Sequence, residues 1–116
     1  MKILIADKVH PSAISGLENL GHEVTSNPAC TSGDLHEHLA DVEVLVVRST
    51  RVAAETISKA NSLELIIRAG AGTDTIDVEA ASSQGIYVCN IPGRNAVAVA
   101  ELTFGLLLAI DRRIAD

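Results

Sequence analysis

The residues best suited to chemistry lie in the segment RAGAGTDTID, residues 68–77, where two glycines follow an apolar run. Gly70 and Gly72 carry no side chain, so the backbone around them can turn successive N–H groups toward one point. Such a loop can bind a small anion, and each N–H that bonds a carboxylate contributes about 1.5–3 kcal/mol. The amides of Ala71 and Gly72 are therefore candidate anion donors.

Two arginines are expected beside this loop. Arg48 and Arg68 each end an apolar run, and the carboxyl ends of parallel strands meet at one edge of an open α/β sheet, where ligands bind. Two guanidinium groups next to glycine amides suit a ligand with two anionic groups. Ordinary alternatives remain: a tight turn for the glycines, a surface ion pair for Arg48, and a helix N-cap for Asn95 rather than a ligand contact.

The sequence contains no grouping typical of a complete active site. Asp7 is interpreted as a turn former, and Cys30 and Cys89 belong to no Cys-x-x-Cys pair, so neither a zinc site nor a disulfide framework is predicted. His36 and His38 are two residues apart and would point away from each other on a helix, which argues against a shared metal. Because no base accompanies an activated nucleophile, we predict a binding unit without catalytic, cofactor-binding or metal-binding residues of its own.

Composition limits the fold and the partners. A chain of 116 residues with 47% hydrophobic content is enough for one core, and a single Tyr and a single Phe leave that core to aliphatic side chains, as in parallel sheets under helices. The net charge of −6 argues against nucleic-acid and anionic-membrane surfaces. The first apolar run is too short for a signal peptide or a membrane span, so we expect a cytoplasmic protein.

Strand and helix patterns alternate along the chain. They predict an α/β fold with a flavodoxin-like, doubly wound parallel sheet of five strands. The predicted strands are residues 3–6, a short strand around 24, 44–47, 65–68 and 86–89. The predicted helices are residues 11–20, one from a cap at Thr31 or Ser32 to about 40, 53–60 and 78–84, with Gly21 and Gly85 as helix stops.

A last helix is predicted over residues 95–110. It is apolar almost all round, broken by Glu101 and Thr103, and too short to span a membrane. A five-stranded domain offers it one sheet face, so its other face needs a second domain or another subunit. We therefore expect the chain to be part of a longer protein.

Four segments together resemble a known family. VVRST (46–50), RAGAGTDTID (68–77), GIYVCNIPGRN (85–95) and VAELTFGLLLA (99–109) are similar, in order and spacing, to the N-terminal part of the D-isomer-specific 2-hydroxyacid dehydrogenases. One departure is Thr75, where family members usually carry Asn. The nearest likeness is to the branch that oxidises 3-phospho-D-glycerate.

The resemblance implies a division of labour. Residues 1–94 would form a substrate-binding lid domain and residues 95–116 an inter-domain crossing helix, while a Rossmann domain outside this chain would hold NAD and supply the catalytic Arg, Glu and His. The loop amides would hold the substrate carboxylate, Asn95 would lie in the pocket, and three side chains would hold a phosphate. The implied substrate-binding residues are Arg48, Ser49, Arg68, Ala71, Gly72 and Asn95.

The implied reaction is NAD-dependent oxidation of 3-phospho-D-glycerate to 3-phosphohydroxypyruvate, the first step of L-serine biosynthesis. A homo-oligomer is expected for the full-length enzyme, and the chain alone is expected to be inactive. Within the family, a glyoxylate or hydroxypyruvate reductase is the alternative. A receiver-like signalling module is disfavoured because it needs an acid where this chain has Arg48, and a flavodoxin because the first strand lacks a phosphate loop.

Overall fold

The structure, a computed structural model, describes residues 1–70, 72 and 74–90. Five parallel strands form one sheet in the order β2-β1-β3-β4-β5, which is the flavodoxin-like order predicted from the sequence. The strands are Lys2–Ile5 (β1), Glu23–Ser26 (β2), Val44–Val47 (β3), Leu65–Arg68 (β4) and Tyr87–Asn90 (β5).

Helices connect the strands, and their ends follow local chemistry. The helices are Pro11–Asn19 (α1), a 3-10 helix Leu35–His38, Ala54–Ser58 (α2) and Val78–Ser83 (α3). Asp77 caps α3, as predicted, by accepting the Ala80 N–H at 3.0 Å. Gly21 and Gly85 follow α1 and α3 with φ of 89° and 74°, so both predicted glycine stops are confirmed.

The helix predicted from residues 31 or 32 to 40 is wrong in type and length. The chain there makes turns and then the 3-10 helix Leu35–His38. The Asp34 carboxylate accepts the Thr31 N–H at 2.7 Å, and the Asp34 and Leu35 N–H groups donate to the Thr31 carbonyl at 3.3 and 3.0 Å, but Gly33 and Asp34 are poor helix formers and no α-helix follows. The predicted cap at Thr31 or Ser32 is therefore replaced by a turn that Asp34 closes.

The core lies on both faces of the sheet because successive strand side chains alternate. On one face, Leu45 and Ile66 pack with Leu35, Ile57 and residues of α3. The other face carries a second cluster: Ile3, Ile5, Leu17, Val44, Leu65 and Ile67. Burial on both faces explains why β3 and β4 are continuous apolar runs.

Among the described residues, no helix has the length and apolarity needed to cross a membrane. The helix predicted over residues 95–110 lies outside the described residues, as does the boundary predicted at residue 94. The division into a lid domain and a crossing helix therefore stays a prediction.

Candidate functional site

The carboxyl ends of the strands bring the candidate polar residues to one edge of the sheet. In the strand register Val47 pairs with Arg68, and Arg68 pairs with Asn90. Arg48 follows β3 directly, and Asp7 lies two residues beyond β1. The convergence predicted from strand order is thus present in the structure.

Asp7 closes the loop that follows β3. Its Oδ2 accepts the N–H groups of Arg48, Ser49 and Thr50 at 2.6, 3.1 and 3.1 Å, and its Oδ1 accepts the Thr50 hydroxyl at 2.9 Å. Partial burial by itself would raise the pKa of Asp7, but these four bonds outweigh it and hold the pKa below the ordinary value of 3.8. Asp7 therefore acts as a built-in anion and not as a simple turn former.

This carboxylate occupies the switch point of the sheet. The chain leaves β1 for β2 on one side and returns to β3 on the other, and ligands of such sheets enter the crevice where the order reverses. In this chain the amides that follow β3 are already bound to Asp7. Arg48 and Ser49 can therefore meet a ligand through their exposed side chains but not through their N–H groups.

Arg68 links the loop after β4 to its neighbours. Its Nε donates to the Arg48 carbonyl at 3.1 Å, its Nη1 donates to the Gly72 carbonyl, and Nη1 lies 3.7 Å from Asp74 Oδ1. The side chain is only 17% exposed. A guanidinium has five N–H donors, so these two hydrogen bonds leave donors for a ligand. The predicted phosphate role of Arg68 remains a prediction beside this structural one.

The two loop glycines make room for that guanidinium. A Cβ at Gly70 would lie 3.4 Å from Arg68 Cζ, and one at Gly72 would lie 3.1 Å from Arg68 Nη1. Neither has a left-handed φ, because the positive-φ glycines among the described residues are Gly21 and Gly85. Glycine is therefore used here for close approach and not for a left-handed turn. The Gly70 N–H donates to the Arg68 carbonyl at 2.8 Å, which leaves it unable to serve a ligand.

Arg48 differs from Arg68 in its surroundings. Its side chain is exposed, and none of the carboxylates in residues 1–70, 72 and 74–90 forms an ion pair with it. The surface ion pair considered from the sequence is thus not formed within this part of the chain. An exposed guanidinium at the ligand edge is available to an external anion.

The residues that follow the glycine loop are hydrogen-bonded to the segment after β3. Val52 donates its N–H to the Thr75 carbonyl at 2.8 Å and accepts the Asp77 N–H at 3.0 Å. The Thr75 hydroxyl is buried and has no hydrogen-bond partner among the residues that the structure describes. The described part of the loop after β4 therefore contains a buried polar atom without a partner in that part of the chain.

Two predicted site residues, Ala71 and Asn95, lie outside the described residues. The loop amides predicted to hold a carboxylate therefore remain a prediction at Ala71. Sequence analysis assigned Asp7 to a local turn and missed its long-range bonds. The available signal was an acid directly after the first strand, facing the switch point of the predicted sheet.

Comparison with known proteins identifies the family to which the chain belongs. The family model for the catalytic domain of D-isomer specific 2-hydroxyacid dehydrogenases matches residues 3–112. The chain belongs to this family. It is 49% identical over 115 residues to D-3-phosphoglycerate dehydrogenase of Methanocaldococcus jannaschii, covering 98% of this chain and 22% of that protein.

The chain is also similar to two further proteins, one compared by sequence and one by structure. Hydroxypyruvate reductase of Thermotoga maritima is 48% identical over 94 residues, which is 80% of this chain and 30% of that protein. The crystal structure of NAD⁺-bound 3-phosphoglycerate dehydrogenase of Entamoeba histolytica superimposes with a TM-score of 0.73 at 35% identity, over 94% of this chain and 38% of that one. The chain thus spans about a fifth to a third of the curated relatives it matches.

The described residues do not fit a dinucleotide. A pyrophosphate site needs open glycine amides at the start of a helix. Here the Gly70 amide is bound to Arg68, the Arg68 guanidinium lies against both glycines, and α3 begins only at Val78. Gly70 and Gly72 are followed by Thr75 in place of a third glycine. No step through NAD is therefore assigned to this part of the chain.

Proposed function

We propose that this chain is the substrate-binding part of an NAD-dependent D-3-phosphoglycerate dehydrogenase. That enzyme oxidises 3-phospho-D-glycerate to 3-phosphohydroxypyruvate in the first step of L-serine biosynthesis. The observation that carries the proposal is the exposed Arg48 guanidinium, which has no carboxylate partner among the described residues and stands beside the loop that Arg68 organises. Family membership and 49% identity to a D-3-phosphoglycerate dehydrogenase support it.

The proposal gives each part of the edge one task. Arg48 and Ser49 reach the substrate phosphate through exposed side chains, since Asp7 holds their amides in a fixed loop. Arg68 keeps the glycine loop in place and directs its remaining donors to the same ligand. The amides of Ala71 and Gly72 hold the carboxylate, and Asn95 completes the pocket. Binding at two ends fixes the C2–H bond for hydride transfer.

The rest of the catalyst is proposed to lie in a separate domain. NAD and the catalytic Arg, Glu and His implied by the resemblance belong there, and the described residues offer no dinucleotide cradle. Residues 1–94 are the lid, residues 95–116 cross between the domains, and the full-length enzyme is a homo-oligomer. The spacing of the two cysteines suggests no disulfide framework, so a reducing, cytoplasmic setting is proposed.

The second candidate is a hydroxypyruvate or glyoxylate reductase, favoured by the 48% identity to hydroxypyruvate reductase. The two functions differ in the substrate's phosphate and therefore in the need for Arg48. A reductase of unphosphorylated acids gains nothing from a guanidinium placed for a phosphate.

Kinetics of variants distinguish the candidates. In an enzyme that joins this chain to its NAD-binding domain, Arg48→Ala is expected to raise KM for 3-phosphoglycerate about 10- to 100-fold, since a charge-assisted bond is lost. KM for an unphosphorylated 2-hydroxy acid changes less than about twofold. The matched control is Arg51→Ala, an exposed neighbour, with both KM values unchanged. Equal effects of Arg48→Ala on both substrates would remove the phosphate assignment.

The proposed division of labour has its own test. The 116-residue chain is mixed with NAD and 3-phosphoglycerate, and NADH absorbance is followed. We expect no turnover, because the hydride acceptor has no site on the described residues. Turnover by this chain alone would contradict the proposal.

A further inference from the structure

The structure also brings together three side chains that belong to no part of the proposed substrate site. Cys30, Asp34 and His38 each direct one ligand atom into a cluster whose atoms all lie within 4.8 Å of one another. They come from the turn after β2 and from the 3-10 helix, with three residues between successive members. A thiol, a carboxylate and an imidazole on one short segment form a metal-compatible donor set.

We propose that Cys30, Asp34 and His38 bind a zinc ion. Sulfur and imidazole donors favour Zn²⁺ over Mg²⁺ and Ca²⁺, which take oxygen ligands. Zinc bonds of about 2.0–2.3 Å place tetrahedral ligands about 3–4 Å apart, so the three atoms need to approach by only about 1 Å. Three protein ligands leave a fourth position for water. The inference is independent of the proposed dehydrogenase function.

The backbone around the cluster is anchored on both sides. Leu35 and Leu39 follow Asp34 and His38 directly in sequence, and both are fully buried. Cys30 belongs to the same apolar cluster and is 8% exposed. Core packing restrains Cys30 directly, and it restrains Asp34 and His38 through the buried leucines that follow them. Less conformational entropy is therefore lost when an ion binds.

The carboxylate is also oriented by a hydrogen bond. Asp34 Oδ1 accepts the Thr31 N–H at 2.7 Å, an arrangement that fixes metal-binding carboxylates in other proteins. The same bond holds the pKa of Asp34 below its ordinary value, with a smaller contribution from His38. Burial, followed by the nearby charges of Asp34 and Asp7, raises the pKa of the Cys30 thiol. A bound divalent cation would reverse that effect and stabilise the thiolate.

The inference explains a segment that sequence patterns misread. His36 and His38 cannot share an ion, but His38 has partners four and eight residues earlier in Asp34 and Cys30. The spacing Cys-x-x-x-Asp-x-x-x-His is not a standard zinc motif, so sequence alone gave no reason to select it. The turn and the 3-10 helix bring its members together.

Cobalt substitution tests the site directly. The reduced 116-residue chain, stripped with EDTA, is titrated with Co²⁺ and then with Zn²⁺. We expect a near-ultraviolet thiolate-to-cobalt band that saturates at one ion per chain and disappears when zinc displaces cobalt. Cys30→Ser abolishes the band, whereas the matched control Cys89→Ser retains it. A band that survives in Cys30→Ser, or no band in the unmodified chain, would overturn the site.

A second pair of variants covers the case in which Cys30→Ser fails to fold. His38→Ala changes an exposed side chain and should weaken Zn²⁺ binding by more than about tenfold, whereas His36→Ala leaves it unchanged. Zinc should raise the thermal midpoint of the unmodified chain and of His36→Ala, but raise that of His38→Ala less. Equal affinities in the two histidine variants would rule out the proposed ligand set.

Discussion

The loops after β3 and after β4 lie side by side at the ligand edge. The first is organised by a carboxylate and the second by a guanidinium. After β3, the Asp7 carboxylate takes three main-chain N–H groups and a hydroxyl. After β4, Arg68 binds two carbonyls while retaining further donors, and the Thr75 hydroxyl has no partner among the described residues. One loop is closed by an internal anion, and the other keeps unused donors.

At this edge of the sheet, the loop after β3 is therefore internally bonded, whereas the loop after β4 keeps donors that are available to a ligand. A loop whose main-chain donors are bound by a carboxylate gains rigidity and can meet a substrate only through its side chains. A loop with unused donors is less stable alone and gains bonds when an anion arrives. The closed loop holds the Arg48 backbone in place, and in the proposed function the open loop adds donors for the same ligand.

The largest expected effect is on the closed loop. Asp7→Ala leaves three main-chain N–H groups and the half-buried Thr50 hydroxyl without their carboxylate, and we expect the free energy of unfolding to fall by about 3 kcal/mol. Urea denaturation of the 116-residue chain measures it. Asp41→Ala, which removes an exposed carboxylate paired with Lys2, is the control and should leave the midpoint unchanged. Equal midpoints for Asp7→Ala and the unmodified chain would refute the closed loop.

The next largest effect is a difference between the two arginines in their contribution to the free energy of unfolding. Arg68→Ala removes the bonds to the Arg48 and Gly72 carbonyls and should lower the free energy of unfolding by about 2 kcal/mol. Arg48→Ala removes an exposed side chain and should change it by less than about 0.5 kcal/mol. Urea unfolding of both variants compares a structural guanidinium with an available one, and similar losses would erase that distinction.

A smaller effect of opposite sign is expected at the open loop. Thr75→Val replaces an unsatisfied buried hydroxyl with a methyl group and should stabilise the chain by about 1 kcal/mol. Thr50→Val is the matched control, because its hydroxyl donates to Asp7 at 2.9 Å and its loss should destabilise. Thermal or urea unfolding measures both changes in stability. A Thr75→Val variant that is less stable than the unmodified chain would mean that the Thr75 hydroxyl has a partner.

The smallest effect concerns pH. The pKa of Asp7 is lower in the folded chain than its ordinary 3.8, so the unfolded chain takes up the proton first and the Asp7 contribution is present above that pH. It is lost as the pH falls below 3.8 through the folded value. Asp7→Asn cannot titrate, so its unfolding free energy should depend less steeply on pH in this acid range. Parallel slopes for Asp7→Asn and the unmodified chain would exclude the carboxylate as the cause.

Sequence patterns predicted most of the fold because they report local physics. The bounds of β3 and β4 came directly from apolar runs, and Asp77, Gly21 and Gly85 mark helix ends through side-chain capping and left-handed backbone. The segment before β3 was misread because a helical spacing of leucines also suits a turn followed by a 3-10 helix. Periodicity alone cannot distinguish them when a side-chain bond closes the turn.

What the sequence determined by itself is the α/β class, the strand order, the edge at which polar residues gather and the family. These follow from apolar periodicity, short connections and ordered motifs, which are properties of neighbouring residues. Tertiary structure decided the partners: Asp7 bonds residues more than forty positions away, and Arg68 binds its own loop while Arg48 stays exposed. Charges find partners through space, and only the folded chain sets those distances.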